Sequence, residues 1–150
     1  MISGKLVHLI ETHADQIVQR VVYQIRHDNS MPHLRALLDG ELREWNVELL
    51  QSLSRWLSPV NQEELGSRYE RLGKLRFEQD IPLHESVRGL CLLREKTLDF
   101  VEEHIASNSS VELYAEEEMD RRLGFFFDLL LTHVVRGYER ALRRAASLTA

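Results

Sequence analysis

Seven histidines and one cysteine are the side chains in this 150-residue chain best suited to bind a metal, carry a phosphoryl group or act as a nucleophile. Their spacing decides among those chemistries. Helical metal sites place their ligands three or four residues apart, so that they share a face. No histidine here has a glutamate three residues before it, and no two histidines stand four apart, which removes the di-iron and zinc-protease patterns. His84-Glu85-Ser86-Val87-Arg88-Gly89-Leu90 comes nearest to a phospho-accepting helix, but its arginine falls one position late and the expected proline is missing. His84 is therefore read as an ordinary residue in the first turn of a helix. His133 in the last helix and His13 on the inner face of the first are read as satisfied core histidines, with an axial haem ligand as the alternative. Cys91, within Leu90-Cys91-Leu92-Leu93, reads as a small hydrophobe, since a reactive thiol needs a close cation and only Arg88 and Arg94 approach it in helical spacing. Arg94 shares a stripe with Val87, Leu90, Cys91, Leu98 and Val101, so it either pairs with a carboxylate, reaches solvent, or contacts an anionic ligand or partner. Gly73-Lys74-Leu75 lacks the hydroxyl residue of a P-loop, and neither a nucleophile elbow nor a dinucleotide fingerprint occurs. The expectation is no catalysis, no metal and no cofactor.

The elements that would position these groups are all helical. Leu6, Ile10, His13, Ile17 and Val21 recur on one face of a helix over about residues 3–27, ending near His27-Asp28-Asn29-Ser30 before Pro32. Asp39 is placed to cap a second helix, 39–57, carrying Leu42, Trp45, Leu49, Leu53 and Trp56. Asn61 with Glu64 has capping-box spacing for a third, 61–79, bearing Leu65, Tyr69 and Leu72. Pro82 suits the first position of a fourth, 83–106, and Asn108-Ser109-Ser110 opens a fifth, 110–147. The fold class is thus all-α: a single five-helix domain over 1–150, either an up-down bundle or a non-haem globin-like arrangement, closed by a long C-terminal helix. Short connections favour antiparallel neighbours.

Glycines interrupt this pattern. Gly66, Gly73, Gly89, Gly124 and Gly137 fall inside predicted helices, where each costs up to ~1 kcal/mol relative to alanine. Gly66 and Gly73 are seven apart and share a face, which predicts a close helix crossing, with a gap for a ligand as the alternative.

Composition bounds the function. The net charge of −5 argues against nucleic-acid binding, which needs clustered Lys and Arg facing the phosphates. Apolar runs are only a few residues long, against the ~20 of a membrane span. One cysteine permits no intrachain disulfide, and the N-terminus has no signal-peptide pattern, so a cytoplasmic protein is expected. Within the last helix, Glu112, Glu116, Glu117, Glu118 and Asp120 come first and Arg136, Arg140, Arg143 and Arg144 last, an order that suits the helix macrodipole, with a partner or anionic surface recognised by the basic end as the alternative.

That last helix also carries a seam. Phe127, Leu131, Val134, Tyr138, Ala141, Ala145 and Leu148 follow a 4-3-4-3-4-3 spacing, and Val134, Tyr138, Ala141, Ala145 and Leu148 are the candidate dimerisation and relay positions. Two further stretches bear on identity: Arg71-Leu72-Gly73-Lys74-Leu75-Arg76-Phe77-Glu78-Gln79-Asp80-Ile81-Pro82-Leu83, continuing through Val87-Arg88-Gly89-Leu90-Cys91-Leu92-Leu93-Arg94-Glu95, and Arg136-Gly137-Tyr138-Glu139. Together they resemble the RsbRD-type N-terminal domain of bacterial stressosome co-antagonists, a domain also found in front of sensor kinases, over about residues 5–145. The resemblance implies a cytoplasmic all-α signalling module of stress response, often a homodimer, coupled through its last helix to an output domain or partner signalling protein. It also implies a globin-like relative without haem, and Arg76, Phe77 and Glu78 include no histidine where an oxygen-sensing globin would place its ligand. The alternative reading is a haem- or small-ligand-binding globin-like sensor.

Overall fold

The computed structural model describes the backbone of residues 2–105 and 110–149 and the side chains of residues 4–105 and 113–149. Among the described residues the chain forms eight α-helices, one 3₁₀ turn and no strand. α1 (Ile2–Thr12) and α2 (Ala14–His27) replace the single first helix that periodicity predicts. The break is at His13, whose backbone turns out of helical geometry (φ −111°, ψ 23°) while its Nδ1 takes the carbonyl of Leu9 at 2.9 Å. The apolar stripe survives the break, because Val7, Ile10, Ala14, Ile17, Val21 and Ile25 are all buried.

The connection after α2 holds a short helix, α3 (Pro32–Arg35), fastened from both sides. From a later helix, the carboxylate of Glu85 accepts hydrogen bonds from the backbone N–H groups of His33 (2.9 Å) and Leu34 (3.0 Å) and lies 2.6 Å from the Nδ1 of His33. Glu85 is only 1% exposed, so a remote carboxylate supplies the N-terminal cap that the sequence around Pro32 lacks. From α2, Arg26 donates to the carbonyls of Arg35 and Leu37 and to the carboxylate of Asp39.

α4 (Asp39–Gln51) and α5 (Leu53–Trp56) divide at Ser52, where one helix was expected. Asp39 is the first helical residue rather than the cap, its carboxylate being held by Arg26. After the 3₁₀ turn Pro59–Asn61 comes α6 (Gln62–Glu78), without the expected capping box. Asn61 donates instead to the carbonyl of Arg55 (2.9 Å), and Glu64 pairs with the Arg55 guanidinium (2.9 Å), a stronger partner for a carboxylate than a neutral amide.

α6 ends in a Schellman motif. Asp80 adopts a left-handed conformation (φ 58°), its N–H bonds to Phe77 (3.0 Å) and the N–H of Ile81 reaches the carbonyl of Arg76 (3.0 Å). Ile81 is thereby driven into the core, 1% exposed, and Pro82 becomes the cap of α7 (Leu83–His104) rather than its first residue. α8 (Ser110–Thr149) follows; the expected opening at Asn108-Ser109 and the predicted last residue of the fourth helix, 106, lie outside the described residues.

α2 and α7 run antiparallel, from His13 against Phe100 and His104 at one end to His33 and Leu34 against Glu85 at the other. α6 and α8 run in the same direction with α7 returning between them, since Gly66 lies beside His133 and Gly137 beside Glu70. The buried side chains form one cluster joining every α-helix but the short pieces' exposed edges, with Trp56, Tyr69, Phe100 and Phe127 its largest fully buried members. Burial of Phe100 and Phe127 contributes about 1.5–3 kcal/mol each.

Glu85→Ala leaves two buried backbone donors and His33 without an acceptor, so a loss of about 2–3 kcal/mol in urea denaturation is expected. A change below about 0.5 kcal/mol would show that the clasp on α3 is incidental.

Candidate functional site

The most extensive contact between helices is that of α6 with α8, and three glycines make it possible. A Cβ on Gly73 would stand 2.1 Å from the carbonyl oxygen of Val134, and one on Gly137 would stand 2.0 Å from that of Glu70. A Cβ on Gly66 would meet the His133 ring at 2.7 Å. Backbone therefore rests on backbone, closer than the 8–10 Å or so between the axes of ordinary packed helices allows with side chains interposed. The predicted close crossing at Gly66 and Gly73 is found, and α8 itself occupies the space that a ligand gap would require. Gly124, by contrast, has nothing within 4 Å of its would-be Cβ.

A polar hub locks the register of the crossing. Glu70 on α6 accepts from His133 Nδ1 (2.8 Å) and from Arg140 (2.5 Å), with Arg136 at 4.0 Å, all three on α8. Its side chain is 21% exposed, and that of His133 18%, so the contact is partly shielded from solvent. His133 is half-buried and hydrogen-bonded to the Glu70 carboxylate through Nδ1. His13 is likewise held, by Leu9 and by the rings of Phe100 and His104. Among the described residues no group of three or more His, Cys, Asp or Glu side chains is arranged to hold a metal ion.

Tyr138 ties α8 to the junction between α6 and α7. Its hydroxyl donates to the carbonyl of Ile81 (2.8 Å) and its ring meets Phe77 edge-on at 5.5 Å. Residues 71–83 and 136–139, remote in the chain, therefore form one contact surface.

The seam predicted on α8 is divided by this arrangement. Val134 (1% exposed) lies against Gly73, Tyr138 against Ile81 and Phe77, and Ala141 (9%) is buried as well. Val134 and Tyr138 thus already serve packing within the protomer, since a heptad-like period marks a continuously buried helix face as well as a coiled-coil seam. Beyond them Ala145 is half-buried and Leu148 is 87% exposed. Arg94 is half-buried, and none of the ion pairs among the described residues includes it. The basic end of α8 is only partly a dipole effect, since Arg140 serves Glu70 and Arg143 pairs with Glu139 at 3.5 Å.

The family model described as "RsbT co-antagonist protein rsbRD N-terminal domain" matches residues 13–150. The chain belongs to this family. It is accordingly a regulatory domain of stressosome-type stress signalling. No curated protein and no solved structure matches it. In this rsbRD N-terminal domain the stretches that carry the resemblance span the end of α6, its junction with α7, the first half of α7, and the part of α8 that packs on α6. Sequence reasoning found Gly66, Gly73 and Tyr138 but missed the pairing of Gly137 with Glu70, because pairing across 67 residues leaves no local pattern. It also missed Arg76, which is buried at 8% exposure. The signal was present, for Arg76 extends the inward stripe Leu65, Tyr69, Leu72 by the same helical spacing.

Gly73→Ala is expected to lower the melting temperature by about 6–12 °C, the effect of roughly 3 kcal/mol of overpacking in a domain of this size. Gly124→Ala is the matched control, with a gain of up to ~1 kcal/mol from helix propensity. Equal effects of the two in thermal denaturation would remove the backbone crossing as a constraint.

Proposed function

We propose that this chain is a non-catalytic cytoplasmic sensory and regulatory domain that pairs with a second copy and relays its state through the C-terminal turns of α8. The receiver is an output domain or a partner signalling protein. Family membership supports the regulatory class, and among the described residues no helix is long and apolar enough to cross a membrane. The observation that carries the relay is the contrast along α8. Its 40 residues, ~60 Å at about 1.5 Å each, are clamped at the glycine crossing yet end in exposed apolar side chains, Leu142 at 51% and Leu148 at 87%.

A helix held rigidly at one point transmits rotation or translation to its free end, because its hydrogen-bonded backbone resists bending. A change at Glu70, His133 or Tyr138 would shift the register of α8 on α6 and move Ala145 and Leu148 together. Between the two helices, a groove of ≈ 420 Å³ lined by Lys74, Phe77, Ala141, Arg144, Ala145 and Leu148 offers the pairing surface. Val134, Tyr138 and Ala141 then serve the relay from inside the protomer, and Ala145 and Leu148 serve pairing.

Sedimentation equilibrium of the chain is expected to show a reversible dimer. Leu148→Glu should raise its dissociation constant about tenfold or more, as loss of one buried leucine side chain implies. A strict monomer at high concentration would reject the pairing, and an unaltered dimer in Leu148→Glu would place it elsewhere.

A further inference from the structure

Arg76 is the one cation of the described residues that lies in the core, at 8% exposure. It makes no ion pair among the described residues. One guanidinium nitrogen donates to the Gln79 side-chain carbonyl (2.8 Å), and the Gln79 amide in turn donates to Glu41 (2.8 Å). The countercharge is therefore a whole side chain away. Burial pushes the Arg76 pKa down, with Glu41 opposing it only in part. A buried charge in this position ordinarily has a direct, hydrogen-bonded partner, because the uncompensated desolvation costs several kcal/mol or so.

Arg76 lines an interhelical cavity of ≈ 30 Å³, together with Trp45, Asn46, Ser86, Gly89 and Val134. A single water requires about 10–15 Å³ of such space, so the cavity holds a species of two or three heavy atoms at most. Its polar lining is rich in donors. Arg76 keeps unused N–H groups out of five, and the Ser86 hydroxyl donates to the Pro82 carbonyl at 3.2 Å and can turn to another acceptor. Asn46, whose amide N–H donates to the Leu42 carbonyl (2.8 Å), is a further polar residue of the wall, and the remainder is mostly apolar, which strengthens any charge-assisted hydrogen bond made inside it.

We propose that this cavity is a binding site for a small monovalent anion of chloride or formate size, with Arg76 as its principal ligand and the Ser86 hydroxyl as a second donor. Sulfate, phosphate and nucleotides are excluded by volume. The site meets α8 at Val134, the residue whose carbonyl abuts Gly73, so occupancy acts at the root of the long helix. Binding itself does not depend on the relay.

The test is thermal denaturation of the whole chain in sodium formate, sodium chloride or sodium gluconate at matched ionic strength. Formate and chloride are expected to raise the melting temperature with the logarithm of their concentration above Kd, by about 3–5 °C at tenfold excess, while gluconate does not. Arg76→Met should abolish the difference, and Arg76→Lys should retain it with weaker affinity. Should Arg76→Met fail to fold, saturation-transfer NMR on the unaltered protein gives the answer, with a formate signal that chloride displaces. Equal melting in the three salts, absence of formate transfer, or an undiminished response in Arg76→Met would overturn the site.

Discussion

The rest of this structure depends on the contact of two helix backbones without side chains between them. At Gly73 and Gly137 a single methyl group would overlap a carbonyl oxygen of the opposite helix, so α6 and α8 have one permitted spacing and one permitted register. Everything around the crossing follows from that. Glu70 comes within reach of His133 and Arg140, and Tyr138 reaches the carbonyl of Ile81. Val134 is sealed into the core. Helical glycine is unfavourable in isolation by about 1 kcal/mol, and close packing of this kind is what offsets it.

Charged groups inside the fold each act by fastening an element that apolar packing alone would leave loose. Glu85 holds the start of α3, four residues that have no cap of their own. Glu70 holds α8 to α6. Arg68 lies over the rings of Trp45 and Trp56 while pairing with Glu48 at 3.0 Å, joining α4, α5 and α6. Arg76 differs in having no direct carboxylate, and it borders a small cavity. In a domain that carries signals, such anchors set which motions are stiff and which are free. The stiff ones gather at the crossing, while the last turns of α8 carry their apolar side chains into solvent.

Helix type and approximate extent were legible in the chain because they rest on local periodicity. Leu65, Tyr69 and Leu72, or Leu42, Leu49, Leu53 and Trp56, are buried as their spacing predicts. The interruptions at His13 and Ser52 were not legible, since neither residue is a helix breaker and the apolar stripe runs on through both. The caps expected at Asp39 and Asn61 failed for a related reason. A cap is a local bond competing with distant partners, and Arg26 and Arg55 won that competition. The α8 seam shows the same limit, as its spacing marks a buried face without saying which surface buries it.

By itself, then, the amino-acid sequence determined the all-α class, the long terminal helix, the glycine pair that demanded a close neighbour, and the family, because each is written in residues near one another along the chain. Only the tertiary structure decided what that neighbour was: Gly73 against Val134, Gly137 against Glu70, and Tyr138 on Ile81. It also decided that Val134 and Ala141 face inward while Leu148 does not, and that Arg76 is buried beside a cavity. The physical reason is common to all of these. Hydrophobic spacing is non-directional and names only a face, whereas partner, register and counter-ion are set where distant segments meet, at separations over which a single sequence carries no pattern.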